Sequence, residues 1–211
     1  MRGIAFDADG RRLAFPGQDR VVVWDWKTDE VWGLPNTEYP WHVAVSPDGA
    51  LLAVGSGNGT VLRRDLTTLQ PLPRVLEGWD ARVGSREGER AGGGRSPPSE
   101  PEEPSPIYRV AFSPDGRVLA GGSQDGTVYR WNADTGSRLP SLPDSAGIGG
   151  LAFSPDGRLL ATGTLDRRVS LWDVSRRRRL RRQLTTNDGY GGVLAFSPDG
   201  SSWHGQGRRG G

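Results

Sequence analysis

Short apolar runs alternate with turn signals along most of the chain. The clearest stretch is Leu151 to Val174: an apolar run, a Ser-Pro-Asp-Gly turn, a second apolar run, a turn bearing Asp166, and a third run closing on Trp172-Asp173. The same plan appears at Val110 to Asn132, at Val43 to Asp65 and, more loosely, at Ile4 to Asp25. A fifth copy opens at Leu194 and loses its pattern after Gly200. Apolar runs bounded by Gly, Pro and Asp predict β-strands. Leu151-Ala152-Phe153 reads as a first strand buried on both faces, Leu159-Leu160-Ala161 as a second and Val169 to Trp172 as a third. A polar outer strand, Arg179 to Leu184, follows, its charge protecting a sheet edge. In each Ser-Pro-Asp-Gly, Pro sets φ at the second position and Gly ends a type I turn.

The turn glycines Gly10, Gly49, Gly116, Gly157 and Gly200 are separated by 39, 67, 41 and 43 residues. A period of about 40–45 is that of a four-stranded propeller blade. The 67 is one period plus an insertion. Trp24-Asp25 and Trp172-Asp173 end third strands, with Trp131-Asn132 a near match, and Asp19, Asp125 and Asp166 stand in the preceding turns. The pattern resembles WD-repeat β-propeller proteins, in a bacterial-type, degenerate form, over about residues 4–76 and 107–200. In that family the turn Asp joins a hydrogen-bonded set with a His, a Ser or Thr, and the Trp. The resemblance implies that Ser123, Asp125 and Trp131, and Thr164, Asp166 and Trp172, supply three of the four. The family's Gly-His pair is absent from every repeat, which leaves a buried Asp short of a partner. In the second repeat Arg64 replaces Trp and Asn58 replaces Asp, predicting a loosely packed third strand with Arg64 reaching to the surface. In the first, Asp7-Ala8-Asp9-Gly10 replaces Ser-Pro-Asp-Gly, and Pro16 stands where Gly55, Gly122 and Gly163 do, marking a strand end or bulge.

Four parts follow: repeats one and two over 1–76, a Gly/Pro/Arg/Glu-rich insertion over 77–106, repeats three and four over 107–193, and the truncated start of a fifth with a tail over 194–211. The insertion has no apolar periodicity and is expected to be disordered. Residues 201–207 carry no strand pattern. The expected fold is an all-β, open or partial propeller of about four blades plus an incomplete fifth: a fragment, a truncated reading frame, or a chain completing its ring with another copy.

Composition adds little. The chain has no Cys, which excludes disulfides and thiol chemistry. It shows neither a signal peptide nor a membrane span, and a cytoplasmic location fits. Lys27 is the only lysine, so the basic pI comes from arginine and reads as coding bias with a solvated Arg-rich surface. The run Arg176, Arg177, Arg178, Arg179, Arg181 and Arg182 could form a basic patch for nucleic acid or an acidic partner, but a solvated edge strand is the favoured reading and nucleic acid is not expected. His42 and His204 recur in no repeat and have no metal-ligand spacing. Turn chemistry accounts for each Ser of Ser-Pro-Asp-Gly. Gly55 to Gly59 opens no helix and so lacks the geometry of a phosphate loop.

The resemblance implies a non-catalytic scaffold for protein partners, without cofactor, metal or membrane, and with possible self-association to complete a propeller. The alternatives are a fragment of a larger signalling protein without independent activity, nucleic-acid or acidic-partner binding through Arg176–Arg182, and a propeller hydrolase. The last would need His, Asp or Glu on the inner strands, where Ala44, Ala111, Ala152 and Ala195 stand instead.

Overall fold

A computed structural model describes residues 3–35, 39–78, 104–180, 184–185, 192 and 194–205. Nearly all of the insertion therefore lies outside the described residues, as do Arg181 and Arg182.

Every element is a strand. The first blade is β1 (Ala5–Phe6), β2 (Arg12–Pro16), β3 (Val21–Asp25) and β4 (Glu30–Leu34). The second is β5 (Pro40–Val45), β6 (Leu51–Ser56), β7 (Thr60–Asp65) and β8 (Leu76–Glu77). The third is β9 (Ile107–Phe112), β10 (Val118–Ser123), β11 (Thr127–Asn132) and β12 (Arg138–Pro143). The fourth is β13 (Ile148–Phe153), β14 (Leu159–Thr164), β15 (Arg168–Asp173) and β16 (Arg178–Arg179), with β17 (Leu184–Thr185) also on β15. Each is an antiparallel meander in chain order. The outer strand expected over Arg179 to Leu184 is therefore two short strands, β16 and β17. A two-stranded sheet of β18 (Leu194–Phe196) and β19 (Trp203–Gly205) follows. The second strand expected to be missing from the fifth repeat is thus present, because Phe196 pairs with Trp203 across the Ser197–Gly200 turn.

The turn explains the repetition. Ser46 Oγ donates to Asp48 Oδ1 at 2.5 Å and accepts from Leu51 N at 2.8 Å, while Asp48 Oδ1 accepts from Ala50 N at 3.0 Å. Ser113–Asp115, Ser154–Asp156 and Ser197–Asp199 make the same set. In the first blade Asp7 replaces the serine and accepts from Arg12 N at 2.8 Å. Gly49 and its equivalents have φ near +70°, a left-handed position that glycine adopts without strain.

The first strands lie side by side, β5 against β1 and β9, β13 against β9 and β18, so the sheets form an open arc around a central axis. Blades stack face on face with apolar cores between them. Between blades 1 and 2 lie Ala14, Val21, Val23 and Leu34 against Val43, Leu52 and Val54. Between blades 2 and 3 lie Ala53, Val61 and Leu76 against Val110, Phe112, Leu119, Tyr129 and Trp131. Between blades 3 and 4 lie Val128 and Leu142 against Leu160 and Trp172. The glycines of β6 and β10 admit the next blade: a Cβ on Gly122 would meet Ile148 Cγ2 at 2.5 Å, and one on Gly55 would meet Ile107 O at 2.8 Å. Pro16, at the equivalent position, is the last residue of β2.

Arginines clip each blade to the next. Arg12 Nη1 donates to Leu66 O, Arg63 Nη1 to Ala133 O at 2.5 Å and Asp134 O at 2.8 Å, and Arg130 Nη1 to Val174 O at 3.4 Å. All three reach the turn between the third and fourth strands of the following blade, where carbonyls need donors. Arg64, expected at the surface, is instead 3% exposed and donates to Leu69 O and, back towards blade 1, to Pro35 O. Part of the arginine content is thus buried structure rather than solvated surface.

Candidate functional site

The turns between second and third strands lie on the same face of the arc as the starts of the first strands. Three backbone bonds hold the two together: Gly57 N to Tyr39 O at 2.9 Å, Gln124 N to Pro106 O at 2.9 Å, and Leu165 N to Gly147 O at 2.8 Å. Just beyond, the first strands of blades 2, 3 and 4 each carry a register shift, between Pro40 and His42, at the same place in β9, and between Ile148 and Gly150. The bulged residues are Trp41, Tyr108 and Gly149. A bulge inserts one residue and re-aims its side chain. Trp41 and Tyr108 therefore turn towards each other and meet edge to face, ring centroids 5.2 Å apart. Tyr39 stands beside them, 71% exposed and at φ +47°, a conformation costly for a bulky side chain. Both Tyr39 and Trp41 border Gly57, whose missing side chain leaves them room.

Beneath this aromatic group the first strands place Gly3, His42, Arg109 and Gly150 at equivalent positions around the axis. The imidazole fills the space over Gly3. Arg109 donates from Nη2 to Gly192 O at 3.1 Å and from Nη1 to Tyr108 O at 2.9 Å. Burial, and secondarily the Arg109 charge, push His42 down to about 4. The imidazole is neutral at pH 7, and its buried Nδ1 has no hydrogen-bond partner among the described residues. The lowered value predicts acid sensitivity. The unfolded chain binds the proton more readily, so the contribution of His42 is full above about 6.5, declines as pH falls towards about 4, and changes little below. The total is on the order of 3 kcal/mol. Melting temperature measured from pH 7 to pH 4 should fall in wild type and flatten in His42→Gln; an equal slope in both would contradict this assignment. Asp173 and Asp199, held at about 2 by hydrogen bonds from the N–H of Arg176 and the Oγ of Ser197 respectively, act in a lower window, below about 3.8.

The repeat-motif residues are structural, and the partners differ from those the sequence implied. Trp172 Nε1 donates to Thr162 Oγ1 at 3.0 Å, not to Thr164, whose hydroxyl donates to Asp166. Thr162 Oγ1 in turn donates to Asp144 Oδ2 at 2.5 Å, and Ser170 Oγ donates to Asp144 Oδ1 at 3.3 Å. Asp144 lies between blades 3 and 4, its side chain 0% exposed, with Arg179 at 3.6 Å. It occupies the segment before the first strand, where the family carries its His. Asp166 is part-exposed, bonded by Thr164 and paired with Arg168 at 3.4 Å. In blade 3, Trp131 packs on Gly121, the counterpart of Thr162. Asp125 receives the Tyr129 hydroxyl at 2.8 Å; burial, and secondarily that bond, push Tyr129 up to about 12. Ser123 accepts from Asp125 N at 3.3 Å. In blade 1 the motif residues are apart: Asp19 pairs with Arg20 at 3.0 Å, and Trp24 Nε1 donates to Asp29 at 3.1 Å.

Four residues of the arginine run, Arg176 to Arg179, lie among the described residues. Arg176 pairs with Asp173 at 3.1 Å, and Arg179 lies over the Trp172 ring at 5.9 Å and beside Asp144, while Arg177 and Arg178 are exposed. Among the described residues no group of three His, Cys, Asp or Glu could hold a metal ion.

The family model for the WD domain, G-beta repeat, matches residues 34–62, 99–132 and 136–173. These three segments of the chain are WD repeats. The WD-repeat arc is similar to a chain in a crystal structure of the mitotic checkpoint complex, with a TM-score of 0.75 and 22% identity over 94% of this chain and 53% of that one. That likeness shows the fold, and this chain spans about half of the neighbour's length. No curated protein matches the sequence.

Sequence reasoning passed over Tyr39, Trp41, Tyr108 and Arg109 as a group. The available signal was an aromatic residue two positions before a strand's Val in two repeats, Trp41-His42-Val43 and Tyr108-Arg109-Val110.

Proposed function

We propose that the protein is a non-catalytic scaffold that takes a protein partner on the face formed by the starts of its first strands, anchored by Tyr39, Trp41 and Tyr108. One observation carries this reading: consecutive bulges aim Trp41 and Tyr108 at each other on the rim of the central axis, beside an exposed tyrosine held in an unfavourable backbone conformation. Rigid aromatic side chains give large contact area at low entropic cost and dominate many interfaces. Among the described residues, turn hydrogen bonds tie Ser46, Ser113 and Ser154 to Asp48, Asp115 and Asp156. That the structurally similar chain was solved within a complex supports the same reading.

The test is capture from native cell extract, identification of retained proteins, and measurement of Kd. Trp41→Ala and Tyr108→Ala should each weaken binding roughly tenfold or more without altering the melting temperature. Unchanged retention by the double variant would refute the assignment of this face.

A further inference from the structure

Blade 1 has an apolar face that no other part of the described structure covers. In blade 3, Val110, Phe112, Leu119, Tyr129 and Trp131 face the preceding blade and are buried by it. The same positions of blade 1 are Ile4, Phe6, Leu13, Val22 and Trp24, with Val31 beside Trp24 on the outer strand. Ile4 is 64% exposed, Phe6 56% and Val31 62%. A sheet face of this composition is built to be covered. We propose that a second copy of this chain covers it, packing the arginine-rich end of its blade 4 on blade 1, head to tail.

Charge chooses the occupant. Residues 3–35 carry six carboxylates against four basic groups, whereas residues 148–180 carry seven arginines against three aspartates. Within the arc each blade sends an arginine to the turn between third and fourth strands of the next, at Leu66, Ala133 and Val174. The equivalent residue of blade 1 is Trp26, 51% exposed, followed by Asp29 and Glu30. The exposed Arg177 and Arg178 of a second copy supply the opposite charge to these carboxylates. The β18–β19 hairpin lies on the inner strands β13 and β14, which leaves β15 and β16 to make the contact. The contact is separate from the aromatic group at the axis and does not depend on that group's role.

Sedimentation velocity over a concentration series, at low and high salt, tests this. Wild type should run as dimers or larger head-to-tail assemblies that dissociate as salt rises. Val31→Glu, at an exposed position, should give monomers that keep the wild-type circular dichroism spectrum. Asp29→Arg/Glu30→Arg should also give monomers, and adding Arg177→Glu/Arg178→Glu to that variant should restore assembly. A monomer throughout the wild-type series, or assemblies indifferent to Val31→Glu or to the charge reversals, would overturn the proposal.

Discussion

Trp131→Ala should lower the unfolding free energy by about 3–5 kcal/mol, the usual cost of emptying a large aromatic site in a packed core. The indole is 2% exposed and fills the space between blades 2 and 3 with Phe112, Leu119 and Tyr129, across from Ala53, Val61 and Leu76. Gly121 beneath the ring has no side chain with which to fill the void. For a chain of this size the melting temperature should drop by roughly 10 °C. Trp24→Ala is the informative control. It occupies the same strand position, opposite Leu13 as Trp131 is opposite Leu119. Its face has no covering blade within the chain, so in the monomeric Val31→Glu background the effect should stay at about 1 kcal/mol or below. Thermal melts of the two variants decide the matter. Equal losses would mean that the two tryptophans are equally packed, contrary to the fold described.

The second large effect is expected at Asp144. Its buried carboxylate accepts from Thr162 and Ser170, and Thr162 accepts from Trp172. Truncation to Ala leaves two hydroxyls in a dry interface between blades 3 and 4 without their acceptor, a loss of about 2–3 kcal/mol. Asp144→Asn keeps one acceptor oxygen and should cost roughly 1 kcal/mol. Chemical denaturation of both variants measures this, with Asp166→Ala for comparison. Asp166 is half in solvent and outside the Trp172 set, so its removal should matter less than that of Asp144. The reverse order would restore Asp166 as the centre of the network.

The contrast between these residues shows where sequence reading reached its limit. Thr164 and Thr162 are two apart on one strand and therefore on one face, so spacing from Asp166 could not say which hydroxyl meets Trp172. Asp144 was passed over because its partners lie 18 and 26 residues away, across two turns. Arg64 looked like a failed tryptophan at the surface. In the structure its guanidinium meets the carbonyls of Pro35 and Leu69, which only the neighbouring blade and the next turn bring within reach. The aromatic residue two positions before Val43 and Val110 marks the place in the sequence, but only the strand pairing makes it a bulge and turns Trp41 and Tyr108 towards each other.

What the sequence by itself determined is everything built from bonds spanning about five residues: the Ser-Asp-Gly turns, the strands between them, the Trp near the end of the third strand in blades 1, 3 and 4, and hence the order of the blades. These depend on backbone dihedrals and local hydrogen bonds, which the residue types specify directly. The tertiary structure alone decided which identical positions are covered. Whether a Trp is core or surface, whether an arginine is solvated or clips the next blade, and which hydroxyl meets a buried carboxylate depend on what packs against each face. That is a property of the neighbouring blade, about 40 residues away in the chain.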